Sequence, residues 1–213
     1  MRRYRRTVNH GSTAERGDCK APPTPCHDEG LVSDAKLPDL SALVPPLDTP
    51  RLTFRGHRLE DFDECAALWA DPVVTRFIGG KPASREEVWA RLMRYVGHWA
   101  LLGYGYWVVR ERASGRFVGE VGLADFRRAV DPPLDGAPEC GWVLSPWAHG
   151  QGFATEAVSA VLAWGATRFD AGVRTVCLID PGNVASIRVA AKCGYTELAR
   201  TTYKGEPTIL YQR

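Results

Sequence analysis

The stretch that decides the fold runs from residue 139 to residue 157 and reads ECGWVLSPWAHGQGFATEA. It begins as a short apolar run, Glu139 to Leu144, that is typical of a buried strand. Two glycines, Gly150 and Gly152, then lead into a helical pattern. Small residues let the backbone approach a ligand, and the first turn of a helix leaves N–H groups unpaired beside a partial positive charge. This turn therefore predicts a binding site for a phosphate or pyrophosphate.

Several nucleotide-binding motifs share such a turn. A Walker loop needs a lysine after its last glycine, and none follows Gly150 or Gly152, which disfavours ATP or GTP hydrolysis. A dinucleotide fingerprint needs a third glycine where Thr155 stands, and its acidic residue would be Asp170, which lies at the end of the helix beside Gly172 and not after a strand. An ordinary helix entry with glycine turns and no ligand stays open as an alternative.

The chain around this turn alternates between strand and helix patterns from Arg51 onward. Ser84 and Glu87 have the spacing of a capping box and predict the start of a long helix that Gly103 ends. The predicted strands are 51–55, 104–110, 117–124, 139–144 and 175–179, with a closing hairpin over 195–211. The predicted helices are 60–70, 84–102, 152–169 and 183–192.

The composition indicates one soluble domain. The chain has 213 residues, 45% of them hydrophobic, and a net charge of +2, so no overall field marks a nucleic-acid partner. No stretch approaches the roughly 18 apolar residues of a membrane span. The arginine-rich start is followed by a polar stretch, Thr7 to Lys20, which does not resemble a secretory leader. We therefore expect a cytoplasmic protein without a membrane partner, and its six cysteines lack C-x-x-C pairs, which predicts reduced, mostly buried thiols.

Residues 1–48 are predicted to be a flexible, proline-rich tail, and residues 49–213 the folded domain. Residues 1–50 hold seven of the 15 prolines and none of the seven tryptophans, so they cannot build a core. A basic arm for nucleic acid is disfavoured because the arginines are not interleaved with aromatic residues. Cys19, Cys26 and His27 could form half of a metal site, but a fourth ligand at finger spacing is missing.

The run His149-x-x-Gly152-x-Ala154 resembles the acyl-CoA pyrophosphate loop of the GNAT N-acetyltransferases, whose pattern is [RQ]-x-x-G-x-[GA]. His149 stands where that family usually has arginine or glutamine. The resemblance covers about residues 49–213 and is closest to the branch that acetylates ribosomal-protein alanine or serine. Its other motifs are Pro50-Arg51-Leu52, the helix with Asp61, Asp71-Pro72, Gly103-x-Gly105-x-Trp107, Gly119-Glu120-x-Gly122-Leu123, Glu139-x-Gly141-Trp142, and Asn183-x-x-Ser186 with Lys192-x-Gly194-Tyr195.

The resemblance implies an α+β class, the GNAT fold: a mixed, mostly antiparallel sheet of about seven strands flanked by helices. The strands at 139–144 and 175–179 would start side by side and splay apart, and the pantetheine arm of acetyl-CoA would lie in that gap. No metal is expected. The cofactor-binding residues that the resemblance implies are Val143, Leu144, His149, Gly150, Gln151, Gly152, Phe153, Ala154, Thr155, Asn183 and Lys192.

The implied reaction needs a base, since an amine near its usual pKa is protonated at neutral pH and cannot attack a thioester. Glu139, on the strand that lines the gap, is the candidate base; the alternative is a solvated carboxylate at a strand end. Strand N–H groups near Val143 and Leu144 could stabilise the oxyanion.

The leaving thiolate needs a proton donor, which in many relatives is a tyrosine seven residues after the motif asparagine. That position holds Ala190 here, so Ser186 is the candidate donor; the alternative is that Ser186 only packs or caps the helix. Asn183 is predicted either to cap the helix or to contact the pantetheine arm as well.

The function that these residues predict is direct transfer of an acetyl group from acetyl-CoA to a primary amine in a ternary complex. The acceptor is either a small molecule or a protein N-terminus, and the chain is expected to be a monomer or a homodimer. Ala190 and His149 motivate an alternative from another class, a catalytically silent coenzyme A-binding module that senses an acyl-CoA or scaffolds a partner.

Overall fold

The sheet has eight strands, and a computed structural model describes it over residues 43–213. The strands are β1 Leu47–Asp48, β2 Leu52–Arg55, β3 Tyr106–Glu111, β4 Phe117–Ala124, β5 Glu139–Leu144, β6 Val176–Ile179, β7 Thr196–Tyr203 and β8 Glu206–Gln212. Their order across the sheet is β1-β2-β3-β4-β5-β6-β8-β7. Every neighbouring pair is antiparallel except β5 and β6, which run parallel. The predicted α+β class with a mixed, mostly antiparallel sheet is confirmed, and the two-residue β1 brings the strand number to eight.

Five α-helices flank the sheet in the described part of the chain. They are α1 Phe62–Ala70, α2 Pro72–Thr75, α3 Arg85–Leu102, α4 Phe153–Arg168 and α5 Val184–Lys192. The capping box is confirmed: the Glu87 N–H donates to the Ser84 hydroxyl at 3.2 Å, and the Ser84 N–H donates to the Glu87 carboxylate at 2.7 Å. Gly103 ends α3 with a φ of 72°, a left-handed conformation that glycine adopts without strain. No helix within residues 43–213 is long and apolar enough to cross a bilayer.

The two faces of the sheet pack against different helices. Leu123 of β4 packs against α4, where its side chain approaches Gly165. Glu120, three residues earlier, points to the opposite face and meets Trp69 of α1. Glu139 lies directly across from Ala124, whose side chain shares the Glu120 face by the same alternation. Glu139 therefore faces the side of α1 and α3, whereas α4 and the turn before it lie on the other side.

The predicted gap between β5 and β6 is confirmed. The two strands share one register pair, Glu139 with Val176, and separate beyond it towards Leu144 and Ile179. At a rise of about 3.3 Å per residue, the open edge of β5 from Glu139 to Leu144 is about 17 Å long. Glu139 thus marks the closed end of the gap, and the glycine turn lies at its open end.

Residues 43–48, which the sequence assigns to the tail, pack against the domain. Val44 is buried among the core residues, and Leu47 and Asp48 pair with β2. The Trp107 indole N–H donates to the Pro45 carbonyl at 2.8 Å. A few apolar residues between prolines are enough to cover the edge of a sheet. The average composition of residues 1–50 hides such a short segment. The rest of the predicted tail, including Cys19, Cys26 and His27, lies outside the described residues.

A buried polar network lies beneath α1. One oxygen of Glu120 is 2.8 Å from Nε2 of His57, and the other accepts a 2.6 Å hydrogen bond from the Trp69 indole. The ligand-type atoms of His57, Cys65 and Glu120 all lie within 4.8 Å of one another. Burial alone would raise the pKa of Glu120, but the hydrogen bonds from His57, Trp69 and Cys65 and the charge of His57 outweigh burial and lower it. The network holds Glu120 in its ionised form.

This network predicts loss of stability in acid. The folded pKa of Glu120 lies below its ordinary value of 4.5, so its contribution is complete above that pH and disappears as the pH falls through the folded value. We expect the free energy of unfolding, measured by urea titration at pH 7 and below, to fall as the pH drops below 4.5. Glu120→Gln should cost about 3 kcal/mol at pH 7 and flatten this acid dependence. An unchanged acid slope in Glu120→Gln would contradict the assignment.

Candidate functional site

The glycine turn exposes a row of backbone donors. Gly150 and Gly152 have φ values of 74° and 81°, and α4 begins directly after Gly152. None of the N–H groups from residue 150 to residue 155 has a hydrogen-bond partner within the described chain, and the first helical bond is donated by Glu156 to the Gly152 carbonyl at 3.1 Å. Unpaired N–H groups at the positive end of a 16-residue helix bind anions. The turn fits a phosphate or pyrophosphate without a lysine.

The side chains of the turn hold its own backbone. The Nε2 atom of His149 donates to the Leu144 carbonyl at 2.9 Å, and the Gln151 amide donates to the Trp147 carbonyl at 2.6 Å. Because these contacts use the side chains internally, the backbone amides are what the turn offers to a ligand. The departure of His149 from the family pattern therefore leaves the row of donors intact.

Arg51, at the start of β2, braces this turn from outside. Its Nη1 donates to the Gln151 carbonyl at 2.9 Å, its Nε lies 2.7 Å from the Glu156 carboxylate, and its backbone N–H donates to the same carboxylate at 3.0 Å. In a trans peptide the C=O and the following N–H point in opposite directions. The Gly152 N–H therefore points away from Arg51.

Glu156 completes this brace. The Thr49 hydroxyl donates to its carboxylate at 2.6 Å. Burial would raise the pKa of Glu156, but the bonds from Thr49 and Arg51 outweigh burial and lower it. The carboxylate stays ionised and Arg51 neutralises its charge, so it does not repel an anion at the nearby turn. No pattern in the sequence joins Thr49, Arg51 and Glu156 in one site, because 105 positions separate Arg51 from Glu156.

Of the two strand amides predicted to face the gap, one does so. The Ser145 N–H donates to the Val118 carbonyl of β4 at 2.8 Å, and backbone N–H groups alternate in direction along a strand. The Val143 N–H therefore also points at β4, whereas the Leu144 N–H points at the gap. Pairing with β4 is regular over the whole of β5, which fixes this alternation.

Glu139 is held by Arg128, a residue of the loop between β4 and β5. The Arg128 Nε lies 2.5 Å from one carboxylate oxygen and its Nη2 lies 2.7 Å from the other, and only 5% of Glu139 is exposed. Burial acts to lower the pKa of Arg128, but Glu139 and Tyr203 outweigh it and raise the pKa above its usual value. Glu139 is therefore a buried, arginine-paired side chain and not the solvated carboxylate that the sequence left as an alternative.

Tyr106 lies next to Glu139 on the same face of the sheet. A Cβ on Gly141 would lie 1.9 Å from the Tyr106 hydroxyl, so only glycine fits in β5 at this position. The Tyr106 ring stacks on Tyr95 with centroids 4.4 Å apart. Burial raises the pKa of Tyr106 well above its usual value, so the phenol keeps its proton. The spacing Gly103-x-Gly105-x-Trp107 surrounds Tyr106. It did not indicate that the Tyr106 side chain starts on β3, passes over Gly122 of β4 and ends with its hydroxyl against Gly141 of β5.

The predicted residues of α5 lie beside the open part of the gap. Asn183 caps the helix by accepting from the Ser186 N–H at 3.1 Å. Ser186 is half-buried, and its hydroxyl has no hydrogen-bond partner within the described chain. Ala190 is fully buried. Lys192 lies exposed on the rim of a groove between α4 and α5. A contact of these residues with coenzyme A stays a prediction.

The four cysteines of the described chain are free and buried, as expected. Burial raises the pKa of Cys140 to about 12. A thiol with this pKa carries almost no thiolate at neutral pH and is a poor nucleophile. Cys193 lies 3.7 Å from the Ser159 hydroxyl, and burial raises its pKa as well. Cys140 and Cys193 therefore lack the lowered pKa that a nucleophilic cysteine needs.

A splayed sheet with an anion-binding turn at the open end of its gap is the architecture of acyl-CoA-dependent N-acyltransferases. Residues 51–196 match the family described as acetyltransferase (GNAT) domain. The uncharacterized protein YkkB of Bacillus subtilis strain 168 is 31% identical over 175 residues, which cover 78% of this chain and 94% of that protein. The chain belongs to the GNAT acetyltransferase family.

Solved structures share the fold. An acetyltransferase from Agrobacterium tumefaciens C58 is 25% identical with a TM-score of 0.67, covering 79% of this chain and 94% of that one. RimL, a ribosomal L7/L12 alpha-N-protein acetyltransferase solved in complex with coenzyme A, is 17% identical with a TM-score of 0.63, covering 79% and 97%. At 17% identity the likeness to RimL is one of fold. Family membership implies acyl transfer from an acyl-CoA to an amine.

Proposed function

We propose that this chain transfers an acetyl group from acetyl-CoA to a primary amine by direct attack in a ternary complex. The observation that carries the proposal is the row of unpaired N–H groups from residue 150 to residue 155, at the open end of a gap between parallel strands. A diphosphate bound there directs a long arm into the gap. A ligand that ends in such an arm is what this geometry selects over a compact nucleotide.

The residues along the gap divide the chemistry between them. The Leu144 N–H faces the gap near its open end and can donate to the pantetheine arm as it passes, whereas the thioester has to lie near Glu139, about 17 Å further along β5. The Ser186 hydroxyl is the proposed proton donor to the departing thiolate. Glu139, at the closed end and on the opposite face, is the proposed base for the amine. Reactants that meet from the two faces of the sheet need no covalent enzyme intermediate.

The first test is the thermal stabilisation of the protein by acetyl-CoA, coenzyme A, NAD and ATP in parallel. A ligand that binds only the folded state stabilises it by RT ln(1 + [L]/Kd), about 2.7 kcal/mol at a hundredfold excess over Kd. We expect stabilisation by the two coenzyme A species alone, and release of free thiol from acetyl-CoA when amines are added. Stabilisation without thiol release for any amine would favour the silent binding module, and no stabilisation by coenzyme A would overturn the proposal.

Arg51→Ala is expected to weaken coenzyme A binding about tenfold, because the Gly152 N–H loses the contact that orients it. Isothermal titration with coenzyme A measures the effect. Arg112→Ala is the matched control, since Arg112 is equally exposed and its side chain pairs with Asp48, not with Glu156 or Gln151 as that of Arg51 does. Equal affinities of Arg51→Ala and the wild type would show that the turn keeps its shape without the brace.

A further inference from the structure

The pair of Arg128 and Glu139 restricts which amines Glu139 can serve. Both oxygens of the carboxylate are engaged by Arg128, through Nε and Nη2. The guanidinium also contacts two aromatic rings, with its Cζ 4.8 Å from the centroid of Phe126 and 4.8 Å from that of Tyr203. It cannot swing away without losing both of these contacts. A base in this position has to share its charge with a fixed cation.

An acceptor that brings only an ammonium group is disfavoured at such a site. Its positive charge would compete with Arg128 for one carboxylate and would leave two cations facing one anion in a mostly buried place. The surroundings do not relieve this excess, since Arg94 lies 5.7 Å from the Phe126 centroid and Arg127 carries a further positive charge, paired with Asp125. An acceptor with its own negative charge beside the amine restores neutrality.

One donor of Arg128 is available for that negative charge. Its Nη1 is not used by Glu139, which takes Nε and Nη2, and apart from the neighbouring Tyr203 hydroxyl no group among residues 43–213 competes for it. The side chain of Arg128 is 22% exposed, so this third donor can be reached from outside. Arginine binds carboxylates through planar, directed hydrogen bonds, and the neighbouring rings keep that plane fixed.

Building on the proposed function, we infer that the acceptor carries a carboxylate next to its reacting amine, as a free α-amino acid does. Its carboxylate binds Nη1 of Arg128 and its ammonium group binds the Glu139 carboxylate. Each charge of the substrate then faces an opposite charge of the protein. Arg128 is then the residue that determines acceptor specificity.

The transfer step balances with these partners. The ammonium group gives one proton to Glu139, and the amine nitrogen bonds to the acetyl carbon. The carbon–sulfur bond breaks with its electron pair on sulfur, and the second proton of the nitrogen neutralises the thiolate. The products are an N-acetylated amino acid and coenzyme A, with Glu139 left to return its proton to water.

The test compares acceptors that differ only in the carboxylate. Thiol release from acetyl-CoA is measured with a panel of L-amino acids, their carboxamides, dipeptides that begin with aspartate or glutamate, and linear diamines. We expect kcat/KM for the carboxylates to exceed that for the matched carboxamides at least tenfold. The acidic dipeptides test whether the acceptor is a free amino acid or the N-terminus of a peptide, in which the carboxylate would come from the side chain of the first residue. Carboxamides or diamines used equally well would overturn this inference and leave the transferase proposal standing, and no transfer to any amine would overturn both.

Variants assign the effect to Arg128. In Arg128→Gln we expect the ratio of kcat/KM for amino acids to kcat/KM for their carboxamides to fall at least tenfold, with the affinity for coenzyme A unchanged, because the loss of the cation next to Glu139 affects all amines alike and cancels in this ratio. Arg128→Lys keeps the charge without the planar fork and guards against loss of folding, which the coenzyme A affinity reports. Arg127→Gln, at the adjacent and exposed position, is the control. An equal loss for carboxylates and carboxamides in Arg128→Gln would show that Arg128 only supports Glu139.

Discussion

Replacing Gly152 with valine is expected to raise the Kd for coenzyme A at least about a hundredfold, because it acts on the donors that hold the diphosphate. Gly152 has a φ of 81°, where a β-branched residue is strained, and a Cβ there lies 3.4 Å from Nη2 of Arg51. The added methyl groups would cover neighbouring N–H groups and displace the brace. Isothermal titration with coenzyme A measures the change.

The control for this substitution is Gly172→Val. Gly172 has a φ of 88° and nothing within 4 Å of an added Cβ, so valine there imposes the same backbone strain far from the turn. We expect Gly172→Val to lose thermal stability and to keep its affinity for coenzyme A. Wild-type affinity in Gly152→Val would refute the assignment of the turn.

Glu139→Gln is expected to lower kcat by about 10²–10⁴, the range typical for loss of a general base. The carboxamide has nearly the same shape and can still accept one hydrogen bond from Arg128, but it cannot take a proton. KM for acetyl-CoA should change little, since Glu139 lies on the face of the sheet opposite to the turn. Steady-state kinetics with saturating acceptor measure both constants.

Glu197→Gln is the control for that experiment, because Glu197 also pairs with an arginine, Arg200, but on the exposed surface of β7. Its kinetics should match those of the wild type. An unchanged kcat in Glu139→Gln would rule out this carboxylate as the base. If Ser186→Ala also left kcat unchanged, water would have to take the proton from the amine and to supply the proton to the thiolate.

Much of the secondary structure could be predicted because its signals are local. The bounds of β4, Phe117–Ala124, and of β5, Glu139–Leu144, agree with the predicted ranges residue for residue. A capping box, a left-handed glycine and an apolar run each act within a few positions along the chain. The anion-binding turn belongs to this class, since the two glycines and the helix start that form it are contiguous.

The direction of individual groups was harder to predict. Val143 and Leu144 were both expected to face the gap, but adjacent residues of a strand send their N–H groups to opposite neighbours. Which of them faces the gap depends on the register of β5 against β4, and Ser145 pairing with Val118 sets it. A shift by one residue would exchange the two roles without any change in composition.

The sequence by itself determined the elements, their order, the turn that offers backbone donors and the family. Only the tertiary structure decided that Arg51 braces the turn through Glu156 and that Arg128 occupies both oxygens of Glu139. The physical reason is range. Hydrogen bonding and hydrophobic periodicity act over a few residues and leave a pattern in the chain, whereas an ion pair between a loop or strand end and a distant element leaves two ordinary charged residues until folding brings them together.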